Sequence, residues 1–249
     1  VDDHAFHPVL AGDAVLFASS ADDSAYCLEG VTGEIRWKLT TDGPVRYAPS
    51  VARGFAYFGS DDGHVYCVEL ASGKLRWKRQ LAPADRRVPG NGRIISAWPV
   101  RTGLAVADGV VYVGAGLYPS QGVYVAALAA ENGQPIWEQK IDYTAHGYLL
   151  IADDRLVVPT GRSTPIVLRL SDGHFLGQLP GSPGAYAVVS EEGVFSGRGN
   201  DATLSASEIG ARESLVSLPA EHVCVTPSRS FFAGRGQVQA IDLRRHMQL

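Results

Sequence analysis

The sequence predicts an all-β protein, a β-propeller of about six four-stranded antiparallel blades, and three observations predict it. The phrase YCLEGVTGEIRWK from Tyr26 returns 40 residues later as YCVELASGKLRWK from Tyr66. Each such period holds about four short apolar runs separated by Gly, Asp, Asn or Ser turns. The 249 residues include 28 glycines and 14 prolines, so turns are frequent and long helices are not favoured.

The second repeat illustrates the predicted blade. We expect its four strands at residues 46–52, 55–60, 64–70 and 74–80, where Val, Leu, Tyr and Phe alternate without helical spacing. One such sheet cannot bury both faces, so sheets must stack, and a period near 40 with four strands is typical of a propeller blade. The inner strands are expected to start near His4, Arg46, Arg101, His146, Gly184 and His222.

The overall composition limits the classes of partner. A formal net charge of −4, with scattered Lys and Arg, predicts no nucleic-acid partner. No run of 18 apolar residues occurs, so no transmembrane segment is expected. We expect a single domain over residues 1–249, either a six-bladed ring of irregular closure or part of a seven- or eight-bladed ring. Two observations favour the second interpretation. The chain has no initiator Met, and its last unit lacks an outer strand unless RRHMQL supplies it.

A turn motif that ends in tryptophan marks three of the units. Its glycine is expected to take a positive φ between the third and fourth strands of a blade. The tryptophan lies four residues later and is expected to pack against the next blade, with its indole N–H donating to a backbone carbonyl. We therefore assign a structural docking role to six residues: Gly33, Trp37, Gly73, Trp77, Gly133 and Trp137.

CLEGVTGEIRW from Cys27 and CVELASGKLRW from Cys67 resemble the tryptophan-docking motif of quinoprotein propellers, the repeat named after pyrroloquinoline quinone (PQQ) enzymes. The resemblance runs through Asp242 and is sharpest from Tyr26 to Trp137. It implies a propeller of six to eight blades in an exported bacterial protein, hence a periplasmic or extracellular location. Some members of the family oxidise alcohols or sugars with PQQ and calcium, whereas others have lost that site and act as scaffolds or sensors.

The resemblance leaves two functional hypotheses. Dehydrogenases of this family cover the quinone with a disulfide between adjacent cysteines, but Cys27, Cys67 and Cys224 are not adjacent. No calcium-loop or zinc-ligand spacing is present either. We therefore expect a non-catalytic binding or scaffold module of a larger exported bacterial protein, with no cofactor and no metal. The alternative is part of a PQQ-dependent alcohol or sugar dehydrogenase, whose PQQ and calcium site is completed by missing blades.

Two of the cysteines occupy the same place in the repeat. Cys27 and Cys67 align with Ala127 and Ala240, which predicts a position that needs a small buried side chain. Equivalent positions of neighbouring blades should lie too far apart for a disulfide. We expect both thiols to behave as small hydrophobic groups.

The repeat is interrupted once, between the second and third units. Trp77 and Trp137 are 60 residues apart, and most of the 20 extra residues lie in residues 81–99. An inserted loop on a rigid scaffold is a frequent place for partner contacts. The candidates in this loop are Arg86, Arg87, Arg93 and an exposed-looking Trp98. In a functional interpretation they bind a carboxylate, a glycan, another domain of the parent protein or a protein partner. The simpler interpretation is a solvated loop with Trp98 over a blade.

The starts of the inner strands offer a second candidate site. In this family the first strand of each blade lines the central channel, so residues at its start can converge on one ligand. The alternative is ordinary polar lining of a solvent channel. The candidates are Arg46, Tyr47, Arg101, His146 and Tyr148, with Tyr186 nearby in the pattern.

Overall fold

A computed structural model describes residues 7–81, 83–90, 92–190, 193–197, 203–226, 229–234 and 236–241. Strands and turns make up almost all of this part of the chain. The chain divides into two compact units, Val1–Ala145 and His146–Leu249. The single domain over residues 1–249 stays a prediction.

Unit 1 contains three four-stranded antiparallel sheets, here called blades 1 to 3. Blade 1 consists of β1 (Val9–Ala11), β2 (Ala14–Ser19), β3 (Ser24–Glu29) and β4 (Ile35–Thr40). Blade 2 consists of β5 (Ser50–Ala52), β6 (Phe55–Gly59), β7 (His64–Glu69) and β8 (Leu75–Gln80). Three short strands follow: β9 (Arg87–Gly90), β10 (Arg93–Ser96) and β11 (Thr102–Gly103). Blade 3 consists of β12 (Ala105–Ala107), β13 (Val110–Ala115), β14 (Val123–Ala129) and β15 (Pro135–Ile141), with a 3₁₀ turn at Pro119–Gln121.

Unit 2 begins with the two-residue strand β16 (Gly147–Tyr148) and contains blades 4 to 6. Blade 4 consists of β17 (Leu150–Ala152), β18 (Arg155–Val158), β19 (Ile166–Arg169) and β20 (Phe175–Gln178). Blade 5 consists of β21 (Tyr186–Ser190), β22 (Gly193–Gly197), β23 (Thr203–Ser207) and β24 (Val216–Pro219). In the described residues blade 6 has three strands, β25 (His222–Val225), β26 (Ser230–Gly234) and β27 (Gln237–Ile241).

These six sheets confirm the predicted all-β architecture of antiparallel blades, with strands in the order in which they occur in the chain. The predicted starts of several first strands are wrong. Strands β5, β12 and β17 each begin four residues later than expected, so Arg46, Arg101 and His146 lie in the preceding connections. In blade 2 the cause is Pro49, which lacks the N–H that a sheet ladder needs. His4 lies outside the described residues, as does RRHMQL.

The third strand of each blade in unit 1 carries the small buried position. Cys27, Cys67 and Ala127 are all buried, and each lies beside a register shift between the third and fourth strands. Cys27 and Cys67 are free thiols. Ala240 differs because it is exposed, and in the described residues no fourth strand covers its sheet. The prediction of a buried position therefore holds for unit 1 and is wrong for blade 6.

Tryptophans link consecutive blades of unit 1. The Trp37 indole N–H donates to the Leu70 carbonyl over 2.8 Å, and its ring lies against Gly73. The Trp77 indole N–H donates to the Ala130 carbonyl over 2.9 Å, and its ring lies against Gly133. In both cases a β-carbon on the glycine would come within 3 Å of the ring. Each indole thus covers a turn of the following blade, where only glycine leaves enough space.

Gly33 and Trp137 hold the first and last places in this series of turns. Gly33 has a φ of +73°, close to the +70° of Gly73 and the +71° of Gly133. No described atom lies within 4 Å of a β-carbon built on Gly33. Trp137 is half-buried in β15, and its ring contacts the ring of Tyr112 at a centroid distance of 6.1 Å.

Candidate partner-binding site

The strands of each blade alternate in direction, so the turn between the second and third strands lies at the same end as the connection to the next blade. In unit 1 we call this the connection end and define it by residues 41–49, 60–63 and 81–104. Both arginines of one candidate site and the whole inserted segment belong to it.

Two arginines converge on one buried carboxylate at the connection end. The Asp61 side chain is fully buried, and Arg46 Nε donates to its Oδ2 over 2.8 Å. Arg101 donates from Nε to Oδ1 over 2.7 Å and from Nη2 to Oδ2 over 2.9 Å. A buried charge is tolerated in a protein only when it is paired and hydrogen-bonded. The cluster therefore joins the connections before and after blade 2 to a turn within it, and it carries one net positive charge.

A second buried carboxylate, Asp62, follows directly. It accepts hydrogen bonds from the His64 backbone N–H over 2.9 Å and from the Tyr66 hydroxyl, and Lys78 Nζ lies 3.8 Å from it. Burial raises the pKa of Asp62, but the hydrogen bonds from His64 and Tyr66 outweigh it and hold the pKa below its usual value. Burial, and then the hydrogen bond to Asp62, raise the pKa of Tyr66.

Blade 1 contains the same arrangement. The Tyr26 hydroxyl donates to Asp22, and Lys38 Nζ lies 2.9 Å from that carboxylate. Hydrogen bonds from Ser19, Tyr26 and Lys38 lower the pKa of Asp22. The sequence-based prediction missed this motif, although Asp-x-x-x-Tyr recurs at the 40-residue period and could have identified it.

The inserted segment forms a hairpin rather than an irregular loop. Strands β9 and β10 pair in antiparallel register, and the Ser96 backbone N–H donates to the Asp61 carbonyl over 2.8 Å. Trp98 is buried, as the simpler interpretation of the segment has it and contrary to its exposed appearance in the sequence: it is 7% exposed and its indole N–H donates to the Gln121 carbonyl over 3.0 Å. A large aromatic ring with a satisfied N–H is favourably buried, so Trp98 holds the base of the hairpin.

The three candidate arginines of the segment have different surroundings. Arg93 donates from Nη2 to the Ala21 carbonyl over 2.7 Å, and its Nη1 contacts the Asp23 carboxylate, so it ties the hairpin to blade 1. Arg86 is exposed. Arg87 is also exposed and lies 3.7 Å from the exposed carboxylate of Asp85. Among the described residues, Arg86 and Arg87 thus differ from Arg93 in having no side-chain hydrogen bond or ion pair with a blade.

The two faces of the hairpin differ in exposure. Ile95 is 1% exposed and faces the blades, whereas Ile94 is 58% exposed. Pro89 pairs with Ile94 across the hairpin and is also exposed. Arg87 lies on the same side of β9 as Pro89, and exposed Arg86 directly precedes the strand. We call the exposed set Arg86, Arg87, Pro89 and Ile94 the outer face of the hairpin.

Of the channel candidates, the structure brings Arg46 and Arg101 together on Asp61. Tyr47 is buried, next to Arg46 in the chain. His146 and Tyr148 belong to unit 2, where the His146 side chain is exposed and its backbone N–H donates to the Pro159 carbonyl over 2.9 Å. Their convergence with the arginines on one ligand stays a prediction. In the same unit the Tyr186 hydroxyl lies 3.4 Å from the Val223 carbonyl.

A calcium ion does not fit the two buried carboxylates of the connection end, Asp61 and Asp62. Calcium needs several oxygen ligands, and carboxylates are the strongest of them. Both oxygens of Asp61 already accept from guanidinium groups, so a divalent cation there would stand beside two positive charges. Asp62 is engaged with Tyr66, and Lys78 lies close to it. Within the described ranges, three or more His, Cys, Asp or Glu side chains nowhere come close enough together to hold a metal ion.

The sequence matches the family model described as outer membrane protein assembly factor BamB over residues 3–98 and 61–192. The chain belongs to this BamB family. The prediction of a PQQ-like repeat propeller is thereby confirmed. No curated protein sequence gives a significant match to the chain.

Solved structures share the fold of this BamB-family chain. BamB from Moraxella catarrhalis superposes with a TM-score of 0.65 at 13% identity, over 93% of this chain and 73% of that chain. The computationally designed Ika8 protein gives 0.71 at 17% identity, over 94% of this chain and 70% of that chain. Quinohemoprotein alcohol dehydrogenase ADHIIG from Pseudomonas putida HK5 gives 0.65 at 12% identity. The match covers 85% of this chain but 41% of the dehydrogenase, so the chain spans less than half of that enzyme.

The structure also bears on the membrane. Among the residues that it describes, no helix is long and apolar enough to cross a bilayer.

Proposed function

We propose that this BamB-family chain is a non-catalytic binding or scaffold module of a larger exported bacterial protein, acting in the periplasm or outside the cell. Its partner is another domain of the parent protein or a separate protein, held through residues 81–99. The observation that carries this proposal is the hairpin of β9 and β10, which the blade repeat does not require and which is fixed to two blades with one face exposed.

The contacts at the base of the hairpin support a binding role. Ile95 and Trp98 are buried beneath it, and Arg93 ties it to blade 1. A segment held in this way loses little conformational entropy when a partner binds, because it is already ordered. The exposed side chains of Pro89 and Ile94 are then presented in a defined geometry.

The competing proposal is that the chain is a portion of a PQQ-dependent alcohol or sugar dehydrogenase. PQQ and calcium would then bind once further blades complete the site. Structural similarity to quinohemoprotein alcohol dehydrogenase favours it. Two features weigh against it: Asp61 is neutralised by Arg46 and Arg101, and the three cysteines are not adjacent in the sequence.

Two measurements test the proposal. The purified full-length parent protein, which contains any further blades, is titrated with PQQ and calcium while the quinone absorbance is followed, and turnover is measured with a dye-linked alcohol or aldose assay. We expect neither stoichiometric binding nor turnover, and observing both would overturn the scaffold proposal.

The second measurement addresses the partner. A photoreactive amino acid is placed at Ile94 or, as a matched control, at Ile35, which is 60% exposed on blade 1. We expect a defined cross-linked product in the bacterial envelope from position 94 and none from position 35. Equal products from both positions would remove the hairpin from the proposal.

A further inference from the structure

We propose that the outer face of the hairpin binds an extended peptide segment in which an apolar residue is flanked by Asp or Glu. This inference rests on the proposed function and specifies the chemistry of the partner. The outer face consists of Arg86, Arg87, Pro89 and Ile94.

The apolar part of the recognition is the pair Ile94 and Pro89. The two residues lie directly opposite each other on β10 and β9, so their side chains form one small continuous patch. Ile94 is 58% exposed, while the next residue, Ile95, is buried. The patch is large enough for one apolar side chain of a partner and too small for an interface between folded cores.

The charged part is the excess of arginine. Residues 81–99 contain three arginines and one aspartate, so this segment is positive in a chain whose net charge is −4. Arg93 is tied to blade 1, which leaves two arginines without a side-chain hydrogen bond or ion pair to a described residue of a blade: Arg87, on the same side of β9 as Pro89, and exposed Arg86, directly before β9. The exposed pair of Arg87 and Asp85 is worth little, so a carboxylate of the partner can replace Asp85. Charge complementarity therefore selects an acidic segment.

Side-chain docking is favoured over strand addition. In the part of the chain that the structure describes, β9 and β10 form a two-stranded sheet, and on the far side of β10 the Ser96 N–H already donates to the Asp61 carbonyl. Pro89 in the middle of β9 has no N–H to offer an incoming strand, and proline at such an edge discourages pairing. A membrane surface is a poorer candidate, because stable adsorption needs a broader apolar face and more basic residues than two.

Selection from a display library of random nonapeptides tests this inference, with the full chain as bait. We expect the selected peptides to be enriched in an apolar residue with neighbouring Asp or Glu. Binding measured by fluorescence polarisation should weaken at least tenfold in Ile94→Ser and in Arg86→Glu, and it should also weaken as salt is raised.

Two matched variants act as controls. Ile35→Ser changes an equally exposed isoleucine of blade 1, and Arg212→Glu reverses an exposed charge of unit 2. Both should bind the selected peptides as the wild type does. Selected peptides without acidic enrichment, or equal losses in the hairpin and control variants, would overturn the inference. So would sedimentation with phosphatidylglycerol vesicles that depends on Ile94 and Arg86 while no peptide is selected.

The inference can fail while the proposed function stands. In that case position 94 still gives the envelope cross-link, but Arg86→Glu leaves its yield unchanged and the library selects no acidic peptide. If the proposed function fails, PQQ and calcium bind with turnover, whatever the peptides do.

Discussion

The ring of Trp37 lies against Gly73 of the next blade, and a β-carbon on that glycine would come within 2.6 Å of Trp37 Cγ. Glycine is therefore needed at this turn for two reasons, its positive φ and the indole above it. The same turn in blade 1, at Gly33, has the first requirement without the second among the described atoms. The two requirements can thus be separated by experiment.

We expect Gly33→Ala to lower the free energy of unfolding by about 1–2 kcal/mol, the cost of a β-carbon in the left-handed region. Gly73→Ala should lose a further ~1–3 kcal/mol, because the β-carbon overlaps the Trp37 ring and the packed contact must open. Urea unfolding of both variants measures the difference. Equal losses would show that the indole contact adds nothing at this turn.

Asp61→Asn should lower the free energy of unfolding by about 3–5 kcal/mol, because it removes the charge that compensates Arg46 and Arg101 in a buried site. Asp13→Asn is the control, since Asp13 is mostly exposed and pairs with Arg36 at the surface, and its loss should be much smaller. Urea unfolding at neutral pH compares the two. A loss in Asp61→Asn no larger than that of the control would contradict the buried clamp.

Asp62 should contribute to acid sensitivity. Its pKa in the folded protein lies below the ordinary 3.8, so its stabilising contribution is present above that pH and is lost as pH falls through the folded pKa. We expect Asp62→Asn to reduce the difference in unfolding free energy between pH 7 and pH 3. Asp42→Asn, at an exposed position of the same end, should leave that difference close to the wild-type value. An unchanged difference in Asp62→Asn would refute this assignment.

The three cysteines should differ in reactivity. Burial raises the pKa of the Cys67 thiol to about 11 and also raises that of Cys27, so neither forms thiolate readily at pH 8. Cys224 is exposed. We expect one equivalent of thiol to react with Ellman's reagent in the native protein and three in denaturant. Cys224→Ser should abolish the native reaction, and a remaining fast equivalent would show that a buried position opens.

The repeat made most of the fold predictable. A 40-residue period with regular turns and tryptophans at fixed offsets specifies sheets of a blade type, because local turn chemistry and alternation determine each strand pair. Strand starts were predicted less well, since the sequence between Arg46 and Pro49 is apolar enough to resemble a strand. The proline ends the ladder there, which apolar alternation alone does not reveal.

The site was less predictable because its contacts connect distant positions. Asp61 has no counterpart in blade 1, where Ala21 occupies the place, so the repeat could not indicate that two arginines would meet there. Trp98 looks exposed in a segment rich in arginine and proline, and its burial depends on the carbonyl of Gln121 in another loop. The Asp22 and Asp62 motifs were within reach of the sequence, because each aspartate precedes a tyrosine by four residues in both units.

The indole N–H bonds of Trp37 and Trp77 both point forward along the chain, and this direction matters during synthesis. Trp37 reaches a carbonyl 33 residues later, and Trp77 reaches one 53 residues later, because the hairpin lies between. On the ribosome each tryptophan therefore emerges before the turn that covers it. Of these two tryptophans, Trp77 has the longer interval before its partner carbonyl is synthesised, and during that interval its indole can contact a chaperone that accompanies the nascent chain.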